Sequence, residues 1–116
     1  VTLTQIAFLL FAAIAAGGLT MGAIIAFGKS PPAFMGVGHG LGGLAACATL
    51  FVANLQGGDA TPDMAWWALI VFTSGLIGGL LLFRVLFKGA TPLFLVAGHG
   101  SIAALGLYLL YPLTGF

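Results

Sequence analysis

Four apolar stretches, each near or above the ~20 residues that a helix needs to cross a ~30 Å hydrocarbon layer, decide the solvent in which this chain folds. They run roughly over Thr2–Phe27, Phe34–Leu55, Met64–Phe87 and Leu93–Leu113. A segment that crosses lipid must satisfy its own backbone, and four segments are too few to close a β-barrel, so the spans read as helices. The fold class that follows is all-α: an integral membrane four-helix bundle formed by residues 1–116 as one transmembrane domain. The first stretch lacks a basic start and is long enough to span, so it reads as a helix that stays in the membrane rather than a cleaved signal peptide.

Composition agrees and excludes several classes. Charged residues make up 4% of the chain and hydrophobic ones 61%, against about 25% charged in soluble domains. Lys29, Arg84 and Lys88 are the only basic residues, which cannot build a face for nucleic acid. Asp59 and Asp63 are loop residues with no pocket around them, so no acid/base carboxylate pair exists. No His/Cys set has zinc spacing, and the glycine pairs do not follow strands as a nucleotide loop requires. Ser74 and Ser101 have no base beside them and read as local bonds back to their own helix. Met21, Met35 and Met64 read as packing residues. Cys47, alone in an apolar run, reads as a small buried hydrophobe. With no soluble domain to carry a substrate site, the chain is expected to be a non-catalytic subunit of a larger membrane complex.

The breaks between spans carry turn chemistry. "GKSPP" at 28–32 and "KGATP" at 88–92 each place Gly after one helix and Pro before the next. "QGGDATPD" at 56–63 holds both acidic residues, and Thr61 or Asp63 is expected to cap the third helix. All three cations fall at one end of the spans and both carboxylates at the other. The positive-inside rule therefore predicts that the Lys29 and Lys88 turns are cytoplasmic and both termini outside, in a bacterial inner membrane. Trp66, Trp67, Tyr108 and Tyr111 then mark the outer interface. Arg84 lies about one turn inside a helix end, from which a long side chain snorkels to the headgroups.

At an offset of sixty residues the halves resemble each other: Leu9 with Leu69, Gly18 with Gly78, Phe27 with Phe87, Pro32 with Pro92, Phe34 with Phe94, Leu50 with Leu110. The match includes Gly38-His39-Gly40 with Gly98-His99-Gly100. This predicts two tandem helical hairpins, residues 1–58 and 59–116, related by a pseudo-two-fold axis along the membrane normal. The only two histidines then share one depth, roughly 10 Å inside the span at 1.5 Å per residue from Pro32 and Pro92.

An ionisable side chain at that depth is a candidate functional site. Imidazoles related by a two-fold axis can face one another, which is one way to hold a haem iron from both sides. On this reading His39 and His99 are metal ligands, and Gly38, Gly40, Gly98 and Gly100 let a porphyrin approach both helices. Arg84 then faces a propionate, with Lys29 and Lys88 as weaker partners. Other readings of the same residues stay open: interhelical hydrogen bonding by the histidines and packing through the glycines, a bacteriochlorophyll-type pigment, a quinone pocket, or a proton path.

With those residues in place, the arrangement resembles small four-helix membrane cytochromes b and the haem-carrying anchor subunits of respiratory complexes, in which histidines on two helices sandwich a b-type haem. The resemblance covers the helical plan, and the two Gly-His-Gly motifs carry it. It implies an electron-transfer or quinone-linked accessory subunit holding haem b between His39 and His99, set in membrane lipid and partnered by a larger membrane complex. A haem-free assembly or stabilising subunit of a respiratory or photosynthetic complex is the alternative.

Overall fold

A computed structural model describes all 116 residues. The chain forms four long helices and no strand: α1 (Leu3–Ala26), α2 (Ala33–Gly57), α3 (Asp63–Leu80) and α4 (Leu93–Leu110). A π-helical turn, Leu81–Leu86, extends α3, and short 3-10 turns follow α2 and α4. Each of the four is long and apolar enough to cross a membrane. The molecule measures 46 × 23 × 20 Å, so its long axis matches a bilayer with its headgroup regions, ~40–45 Å.

Local chemistry sets the helix ends. Thr2 and Gln5 form a reciprocal capping box at the start of α1. At its end Gly28 takes φ 76°, and the amides of Gly28 and Lys29 donate to the carbonyls of Ile25 and Ile24. That pair of bonds is a Schellman stop, which glycine favours because a β-carbon is strained at positive φ. Pro32, Pro62 and Pro92 stand at the N-cap positions of the other three helices, none with a side-chain cap. Neither residue expected to cap α3 does so. Thr61 instead donates its hydroxyl to the Asn54 carbonyl at 2.6 Å, tying the loop to α2, while Asp63 is the first helical residue, where its charge suits the helix dipole. The final turn of the third span is wider than the expected α-helix: the Phe87 amide reaches the Leu82 carbonyl, five residues back.

The helices form a closed ring in which α1 and α3 each pack on both α2 and α4. Only 13 of 116 residues are buried, because most side chains face outward toward lipid. Close packing through small residues, rather than apolar burial, must then hold the bundle. The core contains Ala7, Phe11, Ala46, Leu50, Ala68, Phe72 and Leu110. Its equally buried members come in pairs. Ala7 and Ala68, and Phe11 and Phe72, lie 61 residues apart on α1 and α3. Leu50 and Leu110, and the two buried polar residues Asn54 and Thr114, lie 60 apart, in or just after α2 and α4.

Large and small residues interlock between neighbours. A β-carbon built on Gly42 of α2 would stand 3.2 Å from Ile14 of α1, and one built on Gly75 of α3 would stand 3.2 Å from Ile102 of α4. The bulky partner sits on the first helix of one hairpin and on the second helix of the other. At the end bearing the aspartates, Gln5 Nε2 donates to the Thr114 carbonyl and Asn54 Nδ2 to the Ala65 carbonyl, so half-buried Gln5 and buried Asn54 clamp adjacent segments together.

Candidate functional site: a histidine pair inside the bundle

α2 begins at Ala33 and α4 at Leu93, so His39 and His99 each lie six residues, ~9 Å, inside their helices. Both half-buried imidazoles turn inward and meet across the bundle, with ring centroids 6.0 Å apart and planes at 61°.

Each imidazole rests on a glycine of the preceding helix. A β-carbon on Gly18 would come within 3.0 Å of His39 Cε1, and one on Gly79 within 2.8 Å of His99 Cε1. A methyl group at Gly79 would force the His99 ring to shift and one at Gly18 would crowd His39, so glycine is what lets each histidine lie against its neighbour's backbone. The glycine that serves His99 is Gly79, not the Gly78 that a sixty-residue offset pairs with Gly18; a β-carbon on Gly78 meets nothing within 4 Å.

The glycines flanking the histidines leave open space around the helices. A β-carbon on Gly38, Gly40, Gly98 or Gly100 would meet nothing within 4 Å, and Gly38, Gly98 and Gly100 are exposed. Adjacent helical residues point about 100° apart, so these four leave open notches on the outside of α2 and α4 while the histidines point in.

The surroundings of the two rings differ. The Phe83 ring packs edge-on against His99 with centroids 5.3 Å apart. Phe83 follows Gly79 by four residues; the residue that follows Gly18 by four is Gly22, whose missing side chain leaves room beside Val96. His39 Nδ1 is closed to solvent and has no hydrogen-bond partner. Beside it, an apolar groove of about 380 Å³ runs between α1 and α2, lined by Leu10, Ala13, Ile14, Gly17, Phe34, Met35, Gly38, His39 and Gly42.

Arg84, in the π-helical turn, reaches across to α2: its Nη2 would stand 3.5 Å from a β-carbon on Gly36. Gly36 is three residues before His39, on the same side of the helix and nearer its end. The only carboxylate side chains, Asp59 and Asp63, lie at the opposite end of the bundle, so this guanidinium has no anionic side chain at its own end. No third His, Cys, Asp or Glu joins the histidine pair. Cys47 is buried and free, two turns beyond His39. Ser74 and Ser101 each donate back to their own helix, at 2.7 and 2.8 Å, the bland role read for them in the sequence.

The sequence alone did not single out Gly79 and Gly18 as the histidines' neighbours, Phe83, or the groove. A signal for the first two was present, since each glycine and its histidine are nearly equidistant from the turn that joins their helices. Comparison with known protein families, with characterised proteins and with solved structures finds no match for this chain.

Proposed function

We propose that this protein is an electron-transfer subunit of a membrane complex, in which His39 and His99 would hold one b-type haem between them. The observation that carries the reading is the facing pair of imidazoles, 6.0 Å apart on diagonally opposite helices. Two imidazoles opposed across one metal atom, at ~2 Å per bond, place their centroids on the order of 6 Å apart. The donor set favours a metal that brings its own equatorial ligands: only two protein donors converge, whereas a structural zinc takes four from the chain. His39 Nδ1, buried without a partner, is a polar cost that ligation or a bound group would relieve.

Haem supplies reversible one-electron chemistry that the chain's own side chains lack. The chain's part is to hold the pair of imidazoles, through Gly18 and Gly79, at a fixed depth in a layer that excludes water. Arg84, without a counter-ion of its own, is placed to pair with a propionate near the same end. Positive-inside placement puts this end at the cytoplasmic side of a bacterial inner membrane. With so little polar surface outside the membrane, electrons pass to a larger partner within it.

A second reading is a haem-free stabilising subunit. It is supported by the outward notches at Gly38, Gly40, Gly98 and Gly100, which let helices of another membrane protein approach closely. Visible absorption of the purified protein, oxidised and reduced, separates the two: a Soret band with sharpened bands on reduction supports haem ligation, and a featureless spectrum supports the structural subunit.

A further inference from the structure

At the end of the bundle that bears the aspartates, α1, α2, the loop before α3 and the turn after α4 border a cavity of about 200 Å³. We infer that it binds a primary ammonium group, carried by a phospholipid headgroup or by a small free amine. This goes beyond the haem reading, because the cavity shares no residue with the histidine pair or the groove beside it.

One polar side chain lies deep in the cavity wall. Asn54 is 2% exposed, and its Nδ2 donates to the Ala65 carbonyl, which fixes the way the carboxamide faces. Its Oδ1 receives no hydrogen bond from the protein, yet it is not sealed in as His39 Nδ1 is. It opens on the cavity that Asn54 lines. An oxygen held there takes a donor from an occupant.

The neighbouring polar groups are acceptors too. Thr20 and Thr49 return their hydroxyl protons to the carbonyl four residues back. Thr4 lies in the first turn of α1, where no helical carbonyl stands behind it, so its hydroxyl is free for the cavity it lines. Thr61 directs its proton to the Asn54 carbonyl, which leaves its oxygen only lone pairs to offer. The nearby amides are engaged: those of Thr61 and Ala65 donate to the Gly58 and Pro62 carbonyls, and Pro62 has none.

Charge and size select the occupant. Asp59 directly precedes Ala60 and Asp63 directly follows Pro62, both residues of the wall, while Lys29, Arg84 and Lys88 lie at the opposite end. An ammonium brings three N–H donors, no acceptor and a positive charge to such a wall. A divalent metal fits poorly, since no three carboxylate, imidazole or thiol groups converge to replace its water shell. One water takes ~30 Å³ of liquid volume and small-molecule sites begin at ~300 Å³, so about 200 Å³ admits a headgroup and not a ring system. Trp66 and Trp67, directly after Ala65, suit headgroup depth.

The test applies ethylammonium or tetramethylammonium chloride, at equal ionic strength, to the full chain in phosphatidylcholine nanodiscs. A second arm uses nanodiscs of equal phosphatidylethanolamine and phosphatidylcholine and counts the lipid retained on the protein by native mass spectrometry. Ethylammonium should raise the thermal unfolding midpoint, and tetramethylammonium, which has the charge without an N–H, should not. Phosphatidylethanolamine should be retained over phosphatidylcholine on the order of tenfold. Thr4→Val keeps the side chain's shape and should lower that preference on the order of threefold. Thr49→Val, whose hydroxyl serves only its own helix, should leave it as in the wild type. Equal action of the two cations, or equal losses in the two variants, overturns the proposal and leaves a water-filled crevice. A response to ethylammonium without lipid preference upholds the ammonium site and assigns it to a free amine. Because the readouts are unfolding and lipid retention, a protein without Soret absorption removes the haem reading and leaves this one standing.

Discussion

Phe11 of α1 and Phe72 of α3 stack across the diagonal of the bundle, with ring centroids 3.5 Å apart and planes 5° from parallel. Phe72 is held on its other side by α4, where a β-carbon on Gly106 would stand 2.5–2.8 Å from three ring carbons. The ring cannot retreat, because Phe11 occupies the space it would need. Gly106→Ala should therefore lower detergent-solubilised stability by about 1–3 kcal/mol through overpacking. Gly100→Ala on the same helix has open space and should hold or slightly raise stability, given alanine's better helix propensity. Thermal unfolding of both variants checks this, and equal losses would show that Gly106 is not a packing notch.

The close seats beneath the histidines give a second test. Gly79→Ala should push against the His99 ring, while Gly78→Ala, one residue earlier, should do nothing. If the imidazoles ligate haem, the Gly79 variant should show weakened haem retention or a shifted low-spin spectrum, with the Gly78 variant as wild type. The opposite ranking would mean that the sixty-residue offset, and not the packing, describes how the two halves correspond.

Orientation is testable through charge placement. Cysteines introduced at Lys29 and at Asp59, on opposite ends of α2, should be labelled from opposite sides of the membrane by an impermeant thiol reagent. The native Cys47 is 8% exposed and should contribute little background. Labelling from one side would contradict the four-span topology.

Arg84 lies against α2 with no carboxylate side chain at its end of the bundle. Arg84→Gln should keep the haem spectrum but loosen haem binding or shift its potential, since it removes a charge and not a ligand. Redox titration and haem-transfer kinetics read the two effects. Complete loss of haem would give Arg84 a structural role in the π-helical turn instead.

The sequence already disclosed much of this architecture, and the reasons differ by feature. The spans were legible because lipid demands long apolar helices, and the Gly28 and Pro32 turn was legible because its residue types have few other uses. The inward direction of His39 and His99 was inferable from their depth and matched placement. That Gly38, Gly40, Gly98 and Gly100 touch no neighbouring helix was not, because a helix turns sequence neighbours onto different faces. Gly18 and Gly79 lie 21 and 20 residues before the histidines they support, beyond any local periodicity. The shift from 60 to 61 between helices follows from connecting turns of unequal length: three residues lie between Gly28 and Pro32, and two between Gly89 and Pro92. Phe83 and the groove depend on side-chain contacts across helices, which no single stretch of sequence encodes.

The most direct measurement of the central claim is the oxidised and reduced visible spectrum of the purified protein beside those of His39→Ala and His99→Ala. The account predicts a low-spin b-type spectrum in the wild type that is lost in each variant, because each imidazole supplies one of two axial bonds and no third donor converges on the pair. A wild type without Soret absorption, or either alanine variant keeping the low-spin spectrum, would contradict it.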